Sequence, residues 1–210
     1  MKRILLATAI LALTALSANS QTKTPAPVTQ ACKLAVAQAP AIRGVKLGMK
    51  VNEVLGLFPG SAENNDIRSA LALAEGFPNF GMASVFVFPR EYTTRDRFAG
   101  ISNFRFTFAD GRLYQYEVEY EPPPGAPVWR HVDDWVGKLA DTFGLPAAMD
   151  WAVDKNISSR KSLKCEGFQM EVSNLNFRGN LVVATLDTPL QKQRERRAAY
   201  EDKLRREFKP

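Results

Sequence analysis

Asn103-Phe-Arg-Phe-Thr-Phe-Ala-Asp-Gly-Arg-Leu-Tyr-Gln-Tyr-Glu-Val-Glu-Tyr120 is the stretch on which the fold turns. Phe104, Phe106 and Phe108 alternate with Asn103, Arg105 and Thr107. Beyond Asp110-Gly111, Tyr114, Tyr116, Val118 and Tyr120 alternate with Gln115, Glu117 and Glu119. A period of two on both sides of a turn-forming pair predicts an antiparallel hairpin with one apolar face. A two-residue Asp-Gly loop would set the Phe row opposite Gln115 and Glu117. A three-residue loop, Ala109-Asp110-Gly111 with Gly111 left-handed, sets Phe106 opposite Tyr114 and Phe104 opposite Tyr116, and that loop is the expectation.

On the N-terminal side, Met82 to Phe88 is a continuous apolar run, which suits a strand covered on both faces. Before it, Ile67, Ala70, Leu71 and Ala74 fall at helical spacing in Asp66 to Glu75. Val51, Val54, Leu55 and Phe58 mark one face of a short helix ended by Pro59-Gly60. On the C-terminal side, Glu121-Pro-Pro-Pro-Gly-Ala-Pro127 can continue neither a ladder nor a helix. Val128 to Phe143 then reads as a helix, with Trp135, Leu139 and Phe143 repeating every four residues until Gly144 and Pro146 stop it. Strands are expected at Ser162 to Val172, with a bulge where the apolar phase changes at Gly167, and at Leu181 to Asp187. A last helix starts near Thr188-Pro189. Helices set apart from antiparallel strands predict an α+β fold, an antiparallel β-sheet with helices packed on one side. Two helices end in Phe followed by Gly and Pro before strands begin, at Phe58 and Phe143, which suggests two related helix-then-sheet units, 41–121 and 128–188, within one domain 41–188.

The first twenty residues have the layout of a secretory signal peptide: Lys2 and Arg3, the thirteen-residue apolar run Ile4 to Leu16, then small and polar residues to Ser20. Cleavage is expected between Ser20 and Gln21. The run is short of the roughly 20 residues that cross a bilayer. The first cysteine, Cys32, stands too far from the run to carry a lipid anchor, and no second long apolar run follows. The expected location is periplasmic or extracellular, without a transmembrane or lipid anchor in the mature chain. Residues 21–40, rich in Thr, Pro, Ala and Gln, read as an extended leader pinned at Cys32. An oxidising compartment favours a Cys32–Cys165 disulfide.

The chain carries 28 basic and 22 acidic residues. Without Lys2 and Arg3 the excess is four, and residues 189–210, with eight basic and four acidic side chains, account for all of it. The body is neutral, which argues against a nucleic-acid groove across it. In the C-terminal helix, Tyr200, Leu204 and Phe208 form a narrow apolar stripe flanked by Arg196, Arg197, Arg205 and Arg206. Those seven residues are the candidate contact set for an envelope protein or an anionic membrane surface; alternatively the helix is a solvated one laced with ion pairs.

Catalytic and metal signatures are thin. His131, the only histidine, stands near Asp133 and Asp134, acids that the dipole of a helix N-terminus already explains. There is no metal-ligand spacing, phosphate loop or Gly-x-Ser-x-Gly, and no cofactor or metal is expected.

Ile42-Arg-Gly-Val-Lys-Leu-Gly-Met-Lys-Val-Asn-Glu-Val-Leu55 resembles the start of the SmpA/OmlA-type envelope modules. The resemblance implies a glycine-ended strand, a helix with an acidic residue before a Val (here Glu53-Val54), a second helix and a three-stranded antiparallel sheet, over roughly 41–120. Tandem versions of such a unit resemble secreted β-lactamase-inhibitor-like proteins, which act by binding. The functional expectation is a secreted or periplasmic non-enzymatic binding or envelope-associated module, with a small hydrolase-like enzyme centred on His131 as the alternative.

Overall fold

The computed structural model describes residues 32–121, 129, 131–175, 179–188 and 190–208. The expected signal peptide and its cleavage site, the first part of the leader and the proline-rich 122–127 lie outside the described residues.

Lys50, the residue before α1 (Val51–Leu55), has its N–H capped by the Glu53 carboxylate at 2.7 Å. Asn64 Oδ1 accepts from the N–H groups of Asp66 and Ile67 at the start of α2 (Asn65–Ala72). Both are side-chain answers to the unpaired donors of a helix start. Three strands follow, β1 (Met82–Val87), β2 (Ile101–Ala109) and β3 (Arg112–Tyr120). The second half comprises α3 (Val132–Phe143), β4 (Ala152–Val153), β5 (Arg160–Lys164), β6 (Phe168–Asn174) and β7 (Asn180–Leu186), and α4 (Gln191–Glu207) ends the described chain. The sheet order is β1-β2-β3-β7-β6-β5-β4, with every neighbouring pair antiparallel. The first half is two helices followed by a meander, the second one helix followed by a meander, and the halves meet through their last long strands, β3 and β7. This is the α+β architecture expected from the sequence.

The register aligns one apolar face across the sheet. Val85, Phe106, Tyr116, Ala184, Met170 and Leu163 stand opposite one another in sequence across six strands, all buried. Phe58, from the turn after α1, is fully buried against this face, stacked on Phe98 at 4.5 Å and edge-on to Phe104 at 5.5 Å. Trp135 of α3 meets Tyr120 edge-on at 4.9 Å. The buried Tyr116 hydroxyl donates to the Pro40 carbonyl at 2.9 Å. Burial pushes its pKa well above the usual range, and that of Tyr120 up to about 12.

Four expectations are corrected. The hairpin turn has two residues, not three: Asp110 (φ 49°) and Gly111 (φ 74°) are both left-handed, so Ala109 faces Arg112. That is the turn geometry that Asp-Gly favours. Tyr114 is then an extra residue between the pairs Thr107–Gln115 and Phe108–Leu113. This bulge shifts the phase, so Phe106 faces Tyr116 rather than Tyr114, and Phe104 faces Val118. Secondly, β1 is an edge strand open on one face: Ser84 and Phe86 are exposed, Phe86 by 53%, while Ala83, Val85 and Val87 are buried. Thirdly, the phase change at Gly167 is a chain reversal. Residues 165–167 connect β5 to β6, Gly167 has φ 84°, and Leu163 faces Met170. Fourthly, α3 starts at Val132, not Val128, with His131 as the flanking residue and Asp133 and Asp134 in the first turn. Val128 lies outside the described residues.

The leader is packed from its pinning point onward. Cys32 and Cys165 form a disulfide, both nearly buried. Glu166 N–H donates to the Leu34 carbonyl at 3.0 Å, and Ala35 bridges to Glu166. Residues 32–40 therefore belong to the folded body, which begins before residue 41.

Candidate functional site

Because α1, α2 and α3 all pack on one side, alternation along each strand directs a second set of side chains to the opposite side. Register lines these up in rows that cross both halves. One runs Ser84, Thr107, Gln115, Thr185, Gln169, Lys164; the next runs Phe86, Arg105, Glu117, Val183, Glu171, Ser162. Three neighbouring pairs within the rows are bonded. Ser84 and Thr107 hydroxyls lie 3.0 Å apart, Gln115 Nε2 donates to Thr185 Oγ1 at 3.0 Å, and Arg105 pairs with Glu117. The Arg105 guanidinium also lies 5.9 Å from the Phe86 ring centre. These half-exposed contacts add little stability individually, at most about 1 kcal/mol for the ion pair. They do hold polar, charged and aromatic groups in fixed positions on a broad face over which none of α1, α2 or α3 packs.

The C-terminal helix lies elsewhere, across the end of the first half. Arg196 Nη1 donates to Asp110 Oδ1 at 2.5 Å and to the Phe80 carbonyl at 3.1 Å. Gln193 reaches Asp110 Oδ2 at 3.3 Å. Tyr200 stacks on Phe77 at 4.9 Å, and the Arg197 guanidinium lies 5.5 Å from the Phe80 ring centre. Arg196, Arg197 and Tyr200 are thus engaged with the chain's own body. The remaining four of the seven candidate residues sit on the outer end of α4: Leu204 and Phe208 are exposed, Arg205 is near Glu201 and Asp202, and Arg206 Nε donates to the Asp202 carbonyl. The structure splits the seven into an internal anchor and a solvated end. The Arg196 anchor is half exposed, so its loss costs on the order of 1 kcal/mol. Arg196→Ala is expected to raise the rate of limited tryptic cleavage within 191–206 about fivefold, while the melting of the sheet stays within a degree or two.

His131 is exposed at the start of α3. Asp133 pairs with Lys161 Nζ, which also donates to the Ala148 carbonyl at 3.1 Å. An open groove of about 670 Å³ between α1 and the β2–β3 turn is lined by residues including Lys50, Asn52, Phe58, Glu63 and Arg112, with no serine, cysteine, threonine or histidine in its lining. Among the described residues no group of three or more His, Cys, Asp or Glu side chains is placed to hold a metal ion, and no helix is long and apolar enough to cross a membrane.

A sheet face is one of the two contact surfaces that the sequence suggests, beside the basic tail, but the residues that compose it belong to no single segment. Each strand's outward residues were readable as the polar half of an alternation. The strand order that aligns Arg105 with Val183 and Glu171 was not. No family model, curated protein or solved structure matches this chain.

Proposed function

We propose that this chain is an exported, non-enzymatic binding module that holds a protein partner on the sheet face opposite α1, α2 and α3. The observation that carries the reading is the continuity of the outward rows in register across both halves. A broad face that sets charged, hydroxyl, amide and aromatic groups in register across six strands suits a protein partner, whose interfaces combine aromatic and polar contacts over a wide area. Export is supported by the Cys32–Cys165 disulfide, a bond that persists in oxidising compartments, and by the signal-like first twenty residues. The resemblance of residues 42–55 to envelope modules, and of their tandem forms to inhibitor-like binding proteins, points the same way.

Val183 stands near the middle of the second row, with its side chain outward and half-buried. Val183→Arg puts a bulky cation on the face without entering the core. In affinity capture from an envelope extract, a partner held by the wild-type chain is expected to drop at least tenfold on Val183→Arg and to survive deletion of 190–210. Equal capture by wild type and Val183→Arg would overturn the open-face reading, and loss on the deletion alone would move the contact to α4.

A further inference from the structure

The two edges of the sheet differ in kind. One edge, β4, is only two residues long and flanked by Asp150 and Asp154. Short, charge-flanked edges are how monomeric sheets discourage further pairing. The other edge, β1, reads Met-Ala-Ser-Val-Phe-Val over six regular residues, with no charge, no proline and no bulge in its pairing with β2.

The direction of its peptide groups can be worked out. The Gly81 carbonyl accepts from Asp110 N–H at 2.8 Å, across the β1–β2 pair. In an antiparallel ladder, alternate residues send both peptide groups to the same neighbour. Ala83, Val85 and Val87, in phase with Gly81, therefore bond towards β2, and Ser84 and Phe86 direct their N–H and C=O groups to the free edge.

We infer that this edge pairs antiparallel with β1 of a second copy of the chain, about a two-fold axis at Val85. Residues opposite one another in a ladder share a face. With Val85 facing its own counterpart, Ala83 faces Val87 and Ser84 faces Phe86. The buried side of each strand then continues the buried side of the other, and the open-face rows headed by Ser84 and Phe86 run on into the second copy. A strand paired with itself brings like residues close together, which a charged strand resists. β1 carries no charge to oppose it, and its alternation of small apolar residues on one side with Ser and Phe on the other is the pattern its own edge requires. The pairing stands or falls independently of what the open face binds.

The test uses register. Ser84→Lys/Phe86→Lys sets lysine opposite lysine twice across the axis, whereas Ser84→Lys/Phe86→Glu sets lysine opposite glutamate twice. Both substituted side chains point to solvent, so the core is untouched. By sedimentation equilibrium of the full disulfide-linked chain, the wild type is expected at twice the chain mass. The dimer dissociation constant should rise tenfold or more in the double-lysine variant and return to within a few-fold of wild type in the lysine–glutamate variant. Amide exchange of Ser84 and Phe86 should slow as protein concentration rises, a readout that needs no variant. A single-chain mass at every concentration with fast exchange at both amides would overturn the inference. So would a dimer equally tight in the double-lysine variant, which would place the interface elsewhere. Slow exchange appearing only on adding an extended peptide of another protein would replace the second copy with that partner.

Discussion

Cys165→Ser, or reduction of the Cys32–Cys165 bond, is expected to lower the stability of the fold by about 5 kcal/mol in the loop-entropy model. The bond joins residues 133 apart in sequence, so the loop it closes contains most of both halves. The native state contributes little to offset the loss. Both cysteines are nearly buried, and the strap that Cys32 begins holds on through the Glu166 to Leu34 bond and the Tyr116 hydroxyl on Pro40. For a domain whose whole stability is of order 5–15 kcal/mol, such a loss removes between about a third and all of it and lowers the urea midpoint in proportion. Paired urea titrations with and without reductant measure it. A difference under about 1 kcal/mol would mean that the unbridged chain is already confined before it folds.

Phe58→Ala is the second large effect, a loss of about 4 kcal/mol. Phe58 is fully buried and lies within ring contact of Tyr92, Phe98, Phe104 and Phe106, tying the turn after α1 to the middle of β2 and to the segment before it. The cavity left by truncation is walled by rigid rings on a sheet, which relax poorly, so the transfer and cavity penalties both apply. Chemical denaturation of the oxidised protein reads the loss directly. Phe58→Leu, which keeps much of the volume, should lose well under half as much.

Hydrophobic period was enough to read most elements of this fold. The Phe104–Phe106–Phe108 row announced β2, and the Trp135, Leu139 and Phe143 repeat announced α3. The Cys32–Cys165 pairing followed from compartment chemistry. Failures came where one pattern had two physical origins. A phase change at Gly167 can be a bulge inside a strand or a reversal between strands, and the local sequence Lys164-Cys-Glu-Gly-Phe168 serves both. The expected three-residue hairpin loop closes the apolar face by loop length, whereas the chain keeps the favourable two-residue Asp-Gly turn and restores the face with an extra residue at Tyr114. Phe86 read as buried because its apolar neighbours hid an edge position that strand order alone reveals. On α4 the stripe through Tyr200 and Leu204 is legible as a spacing, but nothing local to the helix signals that Phe77 and Phe80, more than a hundred residues earlier, pack against Tyr200.

The disulfide also fixes how the molecule carries load. If the chain is pulled from its two ends, as when a protein is held between an anchor and a moving partner, tension entering at Cys32 crosses directly to Cys165. The 132 residues between them, which would extend to roughly 450 Å as a free chain, are bypassed. Along the covalent chain, force then runs through β6, β7 and the link to α4, and it reaches the first half only across the β3–β7 ladder and the α4 contacts with Phe77, Phe80 and Asp110. While the disulfide holds, the backbone of the first half is not itself stretched, and those non-covalent contacts are what the load tests first.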